Sequence, residues 1–246
     1  MQTSGQRPIF EIDICAISVL ISNKKKKLMS YYKTDQITQG DLSQPTLEER
    51  YEQGYVFTRL GKGIMNQTRS LRIRLSNFDL TSENKRVLKH IEGMQLLQKQ
   101  LPLAFEDYDW EIAKLAKEFY EQKFGSKTFT ANKVRELLTN PFKSNYNSIF
   151  IYTFKGERVG YAICFETEKV LHYAYPFYDL EKFNNNFGMG MMLLAIQRAK
   201  ANGMEYIYLG SATKPSDKYK LQFKGLEWSN GRVWNVDIEE LKRIIE

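Results

Sequence analysis

The sequence predicts a mixed α/β layer fold, and three observations lead to this prediction. The second half of the 246-residue chain reads as strands and helices that follow one another closely. Residues 70–76 alternate strictly between apolar and polar side chains, which is typical of a strand. Hydrophobic residues make up 42% and charged residues 26% of the chain, ordinary values for a globular protein. We therefore expect a sheet layered with helices around one substantial core.

The first half is expected to combine short strands with helices. An apolar strand is predicted at 9–21, a short helix capped by Thr46 follows, and glycines then mark a hairpin. Period two places Leu71 and its alternate neighbours on one face of strand 70–76 and Arg72 and Arg74 on the other. Three helices follow, predicted from caps and apolar spacing at 81–90, 111–124 and 131–139.

The second half gives the clearest order of elements. Three strands with short turns are predicted, then a helix, a strand, a short helix, a closing strand and a C-terminal helix. In chain order their expected bounds are 148–154, 160–166, 170–177, 187–202, 206–210, 216–223, 228–234 and 236–245. We place a domain boundary near 105, with a basic subdomain at 1–105 and a second domain at 106–246, to which most of the site motifs described below belong.

Basic residues are concentrated in one segment. The formal net charge is +7, and the segment 59–89 contains eight basic and two acidic residues. Such an excess is the electrostatic footprint of a phosphate-rich partner. A solvated basic face is the alternative explanation of the same pattern.

Composition excludes several classes of protein. Two cysteines, Cys15 and Cys164, make neither a disulfide framework nor a four-thiolate metal site. The apolar run 9–21 contains two acidic residues and is too short to cross a bilayer. Four lysines follow that run instead of preceding it, the wrong order for a secretory signal. A cytoplasmic protein without a membrane partner is expected.

Two glycines stand where the longest helix of the second half begins. Gly188 and Gly190 fall in the segment 184–190, and backbone amides beside glycines at a helix start can bind an anion. The pattern resembles the pyrophosphate loop of the GNAT family of N-acetyltransferases, and so does the order of elements from residue 148. The resemblance implies a GNAT-like acyltransferase fold for the C-terminal half, with the basic α+β subdomain packed against it.

A longer resemblance covers roughly residues 45–235. The strand 206–210, then Lys218-Tyr219-Lys220 and the segment 223–227, resemble the closing motif of arginyl-tRNA–protein transferases and their bacterial leucyl-transferring relatives. The stretch 71–87 resembles a second motif of that family. The resemblance implies transfer of an amino acid, arginine or a similar residue, from a charged tRNA to the free amine of a protein or peptide acceptor. The aminoacyl-tRNA is then a co-substrate, and no other cofactor is implied. The family's N-terminal cysteines are missing here, so no metal is expected.

An aminoacyl ester is already activated, so the site has to hold ester and amine together, remove a proton and stabilise an oxyanion. Cys164 and His172 are expected to be packing residues. The candidate catalytic residues are Asp179, Tyr219 and Glu227. The candidate substrate- and tRNA-binding residues are Arg72, Arg74, Lys85, Arg86, Gly188, Gly190, Lys218 and Lys220.

Two other functions fit the sequence. An acyl-CoA-dependent GNAT N-acetyltransferase would use Gly188 and Gly190 to hold the pyrophosphate of acetyl-CoA. An inactive relative would bind RNA or protein only.

Overall fold

The computed structural model describes residues 33–183 and 185–246. The strand predicted at 9–21 and Cys15 lie outside the described residues. The first elements are β1 (Asp35–Thr38), α1 (Gln44–Glu52), β2 (Tyr55–Phe57) and β3 (Ile64–Gln67). The three strands form an antiparallel sheet in the order β1-β3-β2, so the predicted hairpin is confirmed as β2–β3. The helix begins before Thr46, because Ser43 is its N-cap and a proline occupies its first turn.

The remaining elements are the strands of a larger sheet and the helices that accompany it. They are β4 (Ser70–Arg74), α2 (Ser82–His90), β5 (Gln95–Gln100), α3 (Trp110–Phe124), α4 (Ala131–Thr139), β6 (Ser148–Phe154), β7 (Glu157–Glu166), β8 (Val170–Tyr178), α5 (Asn185–Ala201), β9 (Tyr206–Ser211), a 3-10 helix (Pro215–Gln222), β10 (Leu226–Ser229), β11 (Trp234–Asn235) and α6 (Ile238–Ile244). The predicted α+β class is confirmed, and so is the predicted order of strands and helices from β6 to β9. The single closing strand at 228–234 is wrong, because the chain turns back between Ser229 and Trp234 to form the β10–β11 pair.

Eight strands form one sheet in the order β11-β10-β4-β9-β8-β7-β6-β5. Among the described strands only β8 and β9 pair in parallel. The strand β4 lies between β9 and β10, with Arg72 opposite both Tyr208 and Glu227. A strand from the basic segment is thus an inner strand of the sheet, and the boundary expected near 105 does not coincide with a break in it.

Helices cover both faces of this sheet. Tyr152 donates a hydrogen bond to the carbonyl of Met191 in α5 (3.0 Å), whereas Tyr51 of α1 stacks on Phe165 (5.6 Å). Gly160, which pairs with Tyr152, and Phe165 are an odd number of residues apart on β7, so they point to opposite faces. The face toward α1 leads to the candidate site.

Candidate active site

The sheet opens where β8 and β9 separate. Their parallel pairing ends at His172 opposite Tyr208, although both strands continue. A bulge in β8 follows at once, and Ala174, Tyr175 and Pro176 are partly exposed in the middle of the sheet. Ligands of open α/β sheets bind in a crevice beyond the carboxyl ends of parallel strands. We call the opening between the ends of β8 and β9 the cleft.

One wall of the cleft is aromatic and carries a cation. The Tyr175 ring contacts Phe129 and Tyr146 at centroid distances of 5.3 and 5.4 Å. The Arg59 guanidinium lies 4.9 Å from the centre of the Phe129 ring and 5.7 Å from that of Tyr175. It donates a hydrogen bond to the carbonyl of Thr128 (2.7 Å). This fixed geometry suits stacking against a planar group.

The other wall is the end of β9 with the 3-10 helix. Lys220 donates from Nζ to the carbonyl of Ser211 (3.0 Å) and lies 3.7 Å from Asp217. Its side chain is only 12% exposed. Asp217 is itself held by the backbone N–H of Thr213 (2.9 Å). Tyr219, the neighbour of Lys220, is 47% exposed. A buried cation and an accessible phenol therefore stand side by side at the end of β9.

The end of β8 holds one further predicted residue, Asp179. Asp179 accepts the backbone N–H groups of Glu181 (2.9 Å) and Lys182 (3.1 Å) and so caps the turn after β8. The ring of the preceding Tyr178 lies against Lys123 at 5.7 Å, and burial lowers the pKa of that lysine. Asp179 is thus at the cleft, with one carboxylate oxygen engaged in shaping the backbone.

The two glycines lie inside α5, not in a loop before it, because the helix already begins at Asn185. A Cβ on Gly188 would come within 2.9 Å of the Tyr178 ring, and one on Gly190 within 2.8 Å of Ile91. The glycines thus lie in the first turns of a helix instead of in a separate loop, and anion binding by this helix start stays a prediction. Both glycines allow close packing of α5 against its neighbours.

Glu227 and Arg72 lie in a buried ion network. Glu227 accepts from Nε of Arg72 (2.7 Å) and from Nε of Arg74 (2.8 Å). Arg72 also bonds to Glu52, and its guanidinium is 3.9 Å from the ring centres of both Tyr206 and Trp234. Burial alone would lower the pKa of Arg72, but hydrogen bonds to Glu52, Tyr208 and Glu227 raise it above its usual value.

The burial of Arg72 changes the expectation for RNA contacts. Arg72 is 1% exposed, so it has no surface to offer a phosphate while the network is intact. The side chain of Arg74 is 41% exposed and shares Glu227 with it. On α2, Lys85 is exposed and Arg86 forms a surface pair with Glu83 (2.6 Å). Lys218 pairs with Glu246 (3.0 Å) at the surface. Of the basic candidates outside the cleft, all except Arg72 keep exposed surface.

The two packing residues behave as the sequence predicts. Cys164 is buried, and burial raises the pKa of its thiol. His172 is 3% exposed, its Nδ1 lies 2.9 Å from the hydroxyl of Tyr51, and burial lowers its pKa to about 3. The imidazole is neutral at pH 7 and serves as a hydrogen-bonding partner in the core.

The depressed pKa of His172 predicts a pH dependence of stability. Between about pH 6.5 and 3 the unfolded chain binds a proton at this histidine that the folded chain does not, so stability falls as the pH falls. The slope is about 1.4 kcal/mol per pH unit at most. Urea denaturation at pH 7 and pH 5 would measure it. His172→Gln should lose this component, and an equal decrease in both proteins would contradict the prediction.

Sequence reasoning missed part of the cleft. The sequence indicates Arg59 only as part of the basic segment 59–89 and Tyr175 only as part of the predicted strand 170–177. Phe129 and Lys123 carried no signal in the sequence. They come together because the loop after β2, the helix α3, the segment before α4 and the strand β8 meet at one end of the sheet.

Among the described residues, no helix is long and apolar enough to span a membrane. In the same part of the chain, no three His, Cys, Asp or Glu side chains are grouped as a metal site would require. Whether the protein uses a metal or a cofactor stays a prediction.

Comparison with known proteins gives one family match. Residues 100–230 match the model of the family described as arginine-tRNA-protein transferase, C terminus. This range includes both ends of the cleft, the 3-10 helix and Glu227. No curated protein sequence matches the chain significantly.

Solved structures resemble the chain distantly. L-PGS from Bacillus licheniformis has 14% identity and a TM-score of 0.45, covering 94% of this chain and 77% of that one. FemX has 10% identity and a TM-score of 0.42, covering 81% and 68%. A GCN5-related N-acetyltransferase from Kribbella flavida has 14% identity and a TM-score of 0.33, covering 58% and 48%.

Proposed function

The chain belongs to the family of the arginine-tRNA-protein transferase C terminus, and from this membership we propose that it moves an amino acid from a charged tRNA to the amine of a protein or peptide acceptor. The observation that carries the proposal is that the matched residues 100–230 contain the cleft between β8 and β9 with Tyr219 and Lys220 at its rim. The donor is an ester, so the cleft needs no covalent nucleophile.

Each wall of the cleft has a part in this reaction. The ammonium of Lys220 has one strong acceptor, the carbonyl of Ser211, and remains available to stabilise the oxyanion formed when the amine attacks the ester carbon. Tyr219 donates its proton to the leaving 3′-oxygen of the tRNA, or to a water that does so. Asp179, at the end of β8, receives the proton of the acceptor amine through its second carboxylate oxygen. These residue roles are part of the same proposal as the activity.

Contacts with RNA phosphates are assigned to exposed cations. Arg74, Lys85 and Arg86 keep exposed side chains, and Arg86 is held only by a surface ion pair. Such a pair contributes little, about 0–1 kcal/mol, and can be exchanged for a phosphate. The acyl-CoA alternative rests on the two glycines alone, and in the structure both also allow α5 to pack closely against Tyr178 and Ile91.

Product masses test the proposal directly. The purified protein is incubated with peptides that differ in their N-terminal residue, with a pool of charged tRNAs in one tube and acetyl-CoA in another. We expect a gain of one amino-acid residue in the first tube, abolished by ribonuclease. An acetyl gain that is insensitive to ribonuclease would contradict the proposal, and so would no gain in either tube with any acceptor.

A further inference from the structure

A second cavity lies next to the cleft. The ring of Tyr146 separates the two, and no other residue named as part of a cleft wall lines the cavity. It has a volume of about 210 Å³. Tyr146 forms the partition, because it lines the cavity and its ring contacts Tyr175 of the cleft wall (5.4 Å). The cavity is smaller than the roughly 300–1,000 Å³ of pockets for drug-sized ligands. Its size fits a group no larger than a single amino acid.

The walls of the cavity are mostly apolar, and their polar atoms are already paired. Leu47, Phe57 and Phe165 are buried residues that contribute apolar surface. Asn145 donates from Nδ2 to the carbonyls of Thr58 (3.2 Å) and Gly61 (2.8 Å), and the Tyr146 hydroxyl donates to the carbonyl of Phe57 (3.2 Å). A ligand would find apolar surface here and few free hydrogen-bonding groups.

Lys62 is the exception to this mostly apolar lining. Among the described residues that line the cavity, it is the one charged side chain. Its Nζ donates to the carbonyl of Ser144 (2.6 Å), but no carboxylate of the described residues forms an ion pair with it. Lys62 is exposed at the mouth of the cavity, where its partial burial lowers its pKa and no described carboxylate supplies compensating charge. An anion brought into the cavity would supply that charge.

The loop that carries Lys62 is held in place. The N–H of Gly63 donates to Oδ1 of Asn145 (2.7 Å), and its positive φ of 75° requires glycine. A Cβ on Gly63 would come within 2.4 Å of the carbonyl oxygen of Gln39. The ammonium therefore occupies a preorganised position at the mouth of an apolar cavity, which favours binding.

We propose that this cavity binds a small apolar carboxylate, with the carboxylate on Lys62 and the apolar body against Leu47, Phe57 and Phe165. Two sources present this chemistry: a free branched or aromatic acid, and the C-terminal residue of a peptide. The proposal does not depend on the transfer activity, because binding here uses residues other than those of the cleft.

Binding is tested by titration of the full-length protein, followed by NMR or calorimetry. The free-acid probe is 4-methylpentanoate with its primary amide as the neutral isostere. The peptide probe is a tetrapeptide that ends in leucine, compared with the same peptide as its amide. We expect saturable binding of at least one carboxylate, with the matching amide at least about tenfold weaker, as a lost charged hydrogen bond of about 1.5–3 kcal/mol implies.

Lys62→Met should abolish this binding. Lys143→Met is the matched control, because Lys143 lies next to Ser144 but its side chain is 64% exposed and does not line the cavity. Binding of the free acid alone identifies a small metabolite as the source, and binding of the peptide alone identifies a chain terminus. The proposal is overturned if neither carboxylate saturates, if the amides bind equally well, or if Lys62→Met binds as the wild type does. None of these results bears on amino-acid transfer.

Discussion

Replacing Glu227 with leucine is expected to lower the free energy of unfolding by about 3 kcal/mol or more. The carboxylate accepts from both Arg72 and Arg74, and its loss leaves the Arg72 guanidinium buried with Glu52 as its remaining carboxylate partner. Removing one member of a buried pair typically costs about 3–5 kcal/mol, because the other charge stays desolvated. Urea denaturation at pH 7 would measure the change.

Two further variants test whether the loss of stability comes from a buried charge without a partner. Glu239→Gln removes an exposed partner of Lys242 and should change stability by less than about 1 kcal/mol. The double variant Arg72→Met with Glu227→Leu should be less destabilised than the sum of the single variants, since the charges left without a partner, Glu52 and Arg74, are half-exposed. A Glu227→Leu protein that is as stable as the wild type but inactive in transfer would show that Glu227 acts in the chemistry instead.

Replacing Lys220 with methionine is expected to lower kcat/KM for transfer by about 100-fold. Methionine keeps the length of the side chain but removes the ammonium at the end of β9, where the proposed oxyanion forms. Loss of a single oxyanion-stabilising donor commonly costs about 10²–10³ in rate. Initial rates with the donor and acceptor identified by mass spectrometry give the comparison.

The matched control for Lys220 is Lys224→Met, which removes an exposed lysine from the loop that follows the same 3-10 helix. Its rate should stay within about twofold of the wild type. Thermal unfolding of both variants checks that the bond from Lys220 to Ser211 is not needed for folding. Equal rates for Lys220→Met and wild type would refute the role given to this lysine, even if transfer itself is established.

Most elements follow from local sequence. Residue type leaves Thr81 and Ser82 as possible caps of α2, and in the structure it is Thr81 that accepts the N–H of Asn84 (3.1 Å). The predicted bounds of α4 agree with those in the structure. β5 was missed, because residues 95–100 are largely polar and lie at an edge of the sheet, where neither face needs an apolar pattern.

The site was less predictable than the secondary structure, because its residues contact partners that are distant in the sequence. Alternation in β4 correctly separated Leu71 from Arg72, and the arginine face was assumed to meet solvent. In the structure Trp234 and Tyr206 cover that face, and Glu227 supplies the compensating charge. Those partners lie more than 130 positions further along the chain. No local pattern indicates such pairing, and the same holds for Arg59 at the cleft.

The position of β4 has a consequence for biosynthesis. This strand ends at Arg74, whereas its neighbours β9 and β10 begin only at Tyr206 and Leu226, so they are synthesised long after it. Until then the nascent chain carries an inner strand with two unpaired edges, and such edges favour association with other chains. A ribosome-bound intermediate of this protein should therefore depend on chaperones until about residue 229 has emerged. For the same reason, residues 100–230 expressed alone would lack the strand that joins β9 to β10. Supplying residues 1–99 as a separate chain would offer a way to restore the sheet.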